Sequence, residues 1–207
     1  IAVAAPFQAS ISVEITGKSA HAGVNPEDGI SAIQVAGKAI SQMRLGRIDH
    51  ETSANIGSFE GTGPTNIVCD HVTIKAEARS INKSKLERQV EQMKFAFEKS
   101  CREFGAELKF ETSVTPGFYF EQSDAVVQLA FQAIEKIGRT PRTFHSGGGS
   151  DANIFNGMGV PTVNLAVGYE HIHTKKEQMP VTELVKTTEL VVAIIEQAAN
   201  KEHHSAS

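Results

Sequence analysis

The chain has 207 residues, 40% of them hydrophobic and 21% charged, and a formal net charge of −4. That length supports a sizeable core in one or two domains of ordinary globular composition, and the scattered basic residues exclude the electrostatic footprint of a nucleic-acid or anionic-membrane binder. No apolar run approaches the roughly twenty residues that cross a bilayer, no signal-peptide pattern opens the chain, and Cys69 and Cys101, outside any CxxC spacing, read as reduced thiols of a cytoplasmic protein.

The chain opens Ile1-Ala2-Val3-Ala4-Ala5-Pro6 without an initiator Met, as though cut from something longer. Over residues 8–20, Ile11, Val13 and Ile15 alternate with Ser12, Glu14 and Thr16, the period-two pattern of a half-buried strand. Asn25-Pro26-Glu27-Asp28 has the residues of a helix start. Ile30, Ile33, Ala36, Ile40 and Met43 then follow at helical spacing, which predicts a helix over 26–44. Residues 53–60 read as a short strand ended by Gly61-Thr62-Gly63-Pro64, and His71 to Ser80 as another, with Val72, Ile74, Ala76 and Ala78 inward. Ser84 is the expected cap of a long amphipathic helix carrying Leu86, Val90, Met93, Phe97 and Cys101 and stopped at Gly105. Leu108, Phe110 and Thr112 mark the next strand, over 106–114.

The order β-α-β-β-α-β over 8–114 is that of a ferredoxin-like sandwich, an antiparallel sheet with two helices on one face. Beyond Pro116-Gly117 the style changes to α/β: a helix over 124–138, a short segment at 140–144, a small helix to Phe155, a buried strand over Val160–Val167 and a last helix, Val181–Ala199, with Leu184, Leu190, Val191, Ile194 and Ile195 as its stripe. This half has few strands for a self-sufficient sheet. The organisation expected is an α+β, ferredoxin-like domain over 8–116, part of an α/β domain over 117–200 and a disordered polar tail over 201–207.

Several short motifs carry chemistry. His21, in Gly17-Lys18-Ser19-Ala20-His21-Ala22-Gly23, sits among small residues on a turn and is free to project from the sheet end. Asn66 offers a neutral donor and acceptor, and Arg79 a bidentate carboxylate clamp. Ser146-Gly147-Gly148-Gly149-Ser150-Asp151 lets backbone N–H groups approach a ligand closely, as a phosphate cradle or as a nest for another anionic or carbonyl group; it fits neither GxGxxG nor a P-loop. His171 and His173 occupy a loop between a strand and a helix, the usual place for function in α/β proteins. Their alternation leaves at most one as a ligand, and zinc needs at least three protein donors.

In this order the motifs GKSAHAG (17–23), NPEDGISAI (25–33), Gly61 or Gly63 to Val68, EARS (77–80), SGGGSDAN (146–153) and GYEHIHTKKE (168–177) resemble those of the di-zinc exopeptidases and deacylases, the family that includes peptidase T, carboxypeptidase G, aminoacylase and succinyl-diaminopimelate desuccinylase. The wording is closest to the peptidase T-like, tripeptidase branch. The resemblance implies a metal-dependent aminopeptidase for short peptides, with two zinc ions (or cobalt or manganese) in the intact enzyme, and a homodimer joined through the lid. It implies that His21 reaches a partner subunit's site and stabilises an oxyanion, as a preorganised donor does. By the same resemblance Asn66 and Arg79 hold the substrate's carboxylate end, Gly147, Gly148 and Gly149 line the pocket, and His173, with Glu177 four residues on, ligates one zinc, leaving His171 to packing or support. The family's earlier motifs, a His-x-Asp segment, a bridging Asp and a Glu-Glu pair, do not occur. The chain therefore reads as a C-terminal fragment that binds no complete metal site and is inactive alone. The competing reading is a non-catalytic ferredoxin-like module that dimerises or binds a small ligand, and fold alone does not separate the two. An RNA-binding sheet is disfavoured by the negative charge and the lack of paired stacking aromatics.

Overall fold

The computed structural model describes residues 1–205, with side chains described to residue 200. Two compact units emerge: Pro6–Pro116, and Ile1–Ala5 together with the chain from Gly117 on.

In the first unit the alternation of the sequence becomes a sheet. Strands β2 (Phe7–Thr16), β4 (Thr52–Glu60), β5 (His71–Ser80) and β6 (Glu107–Thr115) pair antiparallel in the order β4-β5-β2-β6, with the two-residue β3 (Gly46–Arg47) on the β4 edge. This is the ferredoxin-like order. One face buries Ala9, Ile11, Val13, Ile15, Val72, Ile74 and Ala78 beneath helices α1 (Ala32–Ser41) and α2 (Lys83–Phe104), with Phe97 fully buried and tilted against Phe110. Truncating a buried phenylalanine of this kind typically costs 3–5 kcal/mol, so the α2–sheet contact is a main source of this unit's stability. The other face is polar, carrying Gln8, Ser10, Ser12 and Glu14 opposite Arg79, Glu77, Lys75 and Thr73.

Two helix starts differ from expectation. The segment expected as one helix over 26–44 is a 3-10 turn at Pro26–Asp28 followed by α1. Ile30 exchanges both backbone hydrogen bonds with Lys18, at 3.0 and 2.8 Å, so it cannot take part in a helical ladder, and the helix begins after it with the Ser31 hydroxyl accepting from Gln34 N–H. The cap of α2 is Asn82, whose side chain accepts from Lys85 N–H, rather than Ser84. Its other end closes as expected on Gly105, in the left-handed region at φ 74°.

In the second unit β1 (Ala2–Ala5) is flanked antiparallel by β7 (Phe118–Tyr119) and parallel by β8 (Phe144–His145). Residues 1–7 lie outside the domains expected from the sequence. Here Val3 and Ile1 pack on Val127 and Ala130 of α3 (Ala125–Lys136), and Ala5 packs with Phe118 and with Ala152 of α4 (Asp151–Gly157). The strand expected over Val160–Val167 is not formed: its ladder is a single bridge, Ala2 to Asn164, and Val160 stays 53% exposed. Apolar composition without a partner backbone does not make a strand. In α5 (Val181–Ser205) only part of the expected stripe packs. Leu190 and Ala193 are buried and Ile194 lies against them, facing Ala133 of α3, whereas Leu184, Val191 and Ile195 remain exposed. A single helix neighbour covers a narrower stripe than a sheet would. The tail expected to be disordered over 201–207 instead continues the α5 helix as far as Ser205; the rest of that expectation lies outside the described residues.

Candidate functional site

Within the first unit, close backbone approach builds the His21 loop. Gly17 N–H donates to Asp70 C=O at 2.7 Å, and the loop after it runs between Ile30 on one side and residues 66–68 on the other. Ala22 N–H donates to Asn66 C=O and Val68 N–H to Ala20 C=O, each at 2.9 Å, which pairs His21 with Ile67. His21 and Asn66, both exposed, are thus on adjoining backbones at the Thr16–His71 end of the sheet. Gly23 N–H donates to His21 Nδ1 at 3.1 Å. In the neutral ring this leaves the proton on Nε2, the donor an oxyanion would need.

Arg79 is elsewhere. It faces Gln8 at the opposite end of β2 and lies eight residues along β5 from His71, roughly 26 Å at ~3.3 Å per residue. The first unit therefore brings His21 and Asn66 together and separates Arg79 from both. The guanidinium forks onto Glu77, with Nε to Oε1 and Nη2 to Oε2 both at 3.0 Å, and Gln8 Nε2 donates to the same carboxylate at 3.1 Å. Sequence reasoning passed over Glu77. The signal was present, because residues two apart on a strand share a face; Gln8 depends on register and gave none.

In the second unit Gly147, Gly148 and Gly149 follow β8 in an exposed loop. Ser146 Oγ accepts from Gly148 N–H at 3.2 Å and lies 2.9 Å from Gly148 C=O. The loop then enters α4 through a capping box, in which Ser150 N–H donates to Asn153 Oδ1 at 2.9 Å and Asn153 is fully buried. A Cβ on Gly147 or Gly148 would meet nothing within 4 Å, and neither residue has a positive φ.

The loop over 170–178 closes on itself. Glu170 and Gln178 exchange backbone hydrogen bonds at 2.9 and 3.1 Å, and within the loop Glu177 Oε2 accepts from His173 N–H at 2.6 Å. His171 and His173 both sit in the left-handed region, at φ 54° and 62°, a conformation that costs an L-residue about 1–2 kcal/mol. Both rings are exposed, His171 as well as His173. The residues present do not fit a zinc ion by themselves: a zinc site takes at least three protein ligands, and no group of three or more His, Cys, Asp or Glu able to hold a metal occurs among the described residues.

Residues 8–104 match the peptidase dimerisation domain family, M20_dimer. Along its sequence the chain is 60% identical over 200 residues to the protein YqjE of Bacillus subtilis (strain 168), covering 96% of this chain and 54% of that protein. It is 28% identical over 198 residues to a peptidase T of Clostridium botulinum, covering 93% and 48%. Among solved structures, an aminopeptidase PepT from Bacillus cereus superposes with a TM-score of 0.88 at 61% identity over 96% of this chain and 54% of that one. A Staphylococcus aureus tripeptidase superposes with a TM-score of 0.88 at 44% identity, over 96% and 53%. The chain spans about half the length of the relatives it matches. The chain thus carries a peptidase dimerisation domain of M20 type over residues 8–104 and, along nearly its whole length, is similar to peptidases of the peptidase T-like branch.

Proposed function

We propose that this chain supplies the lid and part of the substrate-holding surface of a metal-dependent aminopeptidase for tripeptides and similar short peptides, working as a cytoplasmic homodimer. The observation that carries the reading is the separation of His21 and Asn66 from Arg79 along one sheet. A tripeptide spans at most about 11 Å, so the two ends of one lid, roughly 26 Å apart, serve different peptides. In this reading each site takes His21 and Asn66 from one copy and Arg79 from the other, with Nε2–H of His21 aimed at the oxygen of the scissile carbonyl and Arg79 at the carboxylate end. Gly147, Gly148 and Gly149 give the peptide backbone close access. His173 is one donor to a metal ion whose remaining donors lie outside the described residues, with Glu177 fixing the loop that presents it. The likeness of residues 8–104 to a peptidase dimerisation domain supports the two-copy arrangement, and the free thiols Cys69 and Cys101 fit a reducing compartment.

Light scattering and a trialanine assay with added zinc, on the purified 207-residue chain, test the proposal. A dimer without turnover is expected. A monomer at every concentration overturns the two-copy reading, and zinc-dependent turnover by this chain overturns the assignment of His173 as one donor of an incomplete set.

A further inference from the structure

We propose that Glu77, anchored by Gln8, is a positioning residue that holds the Arg79 guanidinium ready for its ligand, an inference that rests on Arg79 as the carboxylate clamp of the preceding reading. Residues 77 and 79 share the open face of β5. Their side chains meet through two parallel hydrogen bonds of 3.0 Å each, the fork in which guanidinium and carboxylate match geometrically. A second anchor comes from the neighbouring strand. Gln8 stands opposite Arg79 in the β2–β5 register, and its Nε2 donates to Glu77 Oε2 at 3.1 Å.

A carboxylate on a ligand-binding arginine can act in two ways: as an internal competitor that must leave, or as a brace that stays. Gln8 decides for the brace, because it ties the carboxylate to a separate strand and so restrains the departure that competition requires. The pair is partly exposed, Arg79 30% and Glu77 35%, and the fork onto Glu77 narrows the rotamers open to the arginine. Binding to such a side chain has to order it first, and a braced one is ordered beforehand. The fork also neutralises the cation, so recognition depends on short-range geometry more than on long-range attraction of anions.

The experiment follows the Arg79 Nε–Hε resonance by NMR in the intact 207-residue chain, with the signal assigned by its loss in Arg79→Lys. Exchange of Hε with water is expected to rise at least about tenfold in Glu77→Ala, as for the loss of a charge-assisted hydrogen bond. Glu77→Gln and Gln8→Ala fall between that and the parent, and melting temperatures stay close to the parent's because exposed ion pairs contribute little to global stability. An Hε resonance unchanged in Glu77→Ala overturns the proposal. Trialanine is then titrated into each protein. A brace predicts affinity about threefold lower or worse in Glu77→Ala, from lost preorganisation, whereas a rise in affinity shows Glu77 to be a competitor and also overturns it. Trialanine binding that survives Arg79→Ala overturns the clamp reading itself, while the Hε exchange still judges the role of Glu77 separately.

Discussion

Gly17 lies so close to Ile30 that a Cβ at position 17 would stand 2.1 Å from the Ile30 carbonyl oxygen. The contact is backbone on backbone and no side-chain rotation relieves it. Gly17→Ala is therefore expected to part the Lys18–Ile30 pairing, costing about 2–3 kcal/mol in urea unfolding, and to shift the amide resonances of residues 20–23, which the same loop positions. A variant as stable as the parent would show that the loop yields without strain.

The turn before β4 predicts how stability depends on pH. Asp49 is held well below the usual carboxylate range, first by the Glu51 backbone N–H and further by Thr52 and Lys85, against a smaller opposing effect of burial. The N–H groups of Glu51 and Thr52 donate to Oδ1 at 3.0 and 2.8 Å, and Lys85 Nζ lies 3.1 Å from Oδ2. A folded-state pKa below the unfolded value of about 3.9 adds stability that is full above that pH and is lost as pH falls below it toward the folded value. Asp49→Asn keeps an oxygen for the turn but removes the titration. Melting curves from pH 7 to pH 2 should show the variant less stable at neutral pH, with the gap closing below about pH 4. A gap that is constant with pH would assign the effect to the turn and none of it to the charge.

How much of this was legible depends on whether the cause is local. The strands of the first unit follow from alternation alone: His71–Ser80 was read to the residue, because each inward side chain meets the same helical layer. Asn25 and Pro26 open a 3-10 turn in place of the expected helix start, because the pairing of Ile30 with Lys18 is a tertiary contact that overrode helical spacing. Val160–Val167 failed for the opposite reason, since its composition suits a strand while the ladder depends on a neighbour. In the candidate site the residue types were readable and their distribution was not. Nothing in the spacing of His21, Asn66 and Arg79 says that the first two share a loop pair and the third lies at the far end of β5.

The left-handed histidines make the loop over 170–178 sensitive to side-chain branching. Valine is a poor occupant of that region, while glycine enters it freely. His171→Val and His173→Val should each loosen the loop, because a β-branched residue fits this region worse than histidine does, read as faster hydrogen exchange at Gln178 N–H, which bonds Glu170 C=O at 3.1 Å. His171→Gly should leave that exchange unchanged or slower. Equal effects of valine and glycine would mean that the imidazole, and not the backbone, holds the loop.

The glycines at 147 and 148 test whether the loop is built for a ligand. Unlike Gly17, neither would bring a Cβ within 4 Å of another atom, and neither needs a positive φ. Gly147→Ala and Gly148→Ala should therefore unfold in urea within about 0.5 kcal/mol of the parent, or slightly later, since alanine lowers the entropy of the unfolded chain. If the proposed reading holds, trialanine binding should nonetheless weaken in both, because there the added methyl obstructs the approach of the peptide backbone. Both measurements are needed. Stability lost together with binding would make these glycines part of the fold, whereas binding lost alone ties them to the ligand, the use that their surroundings leave open.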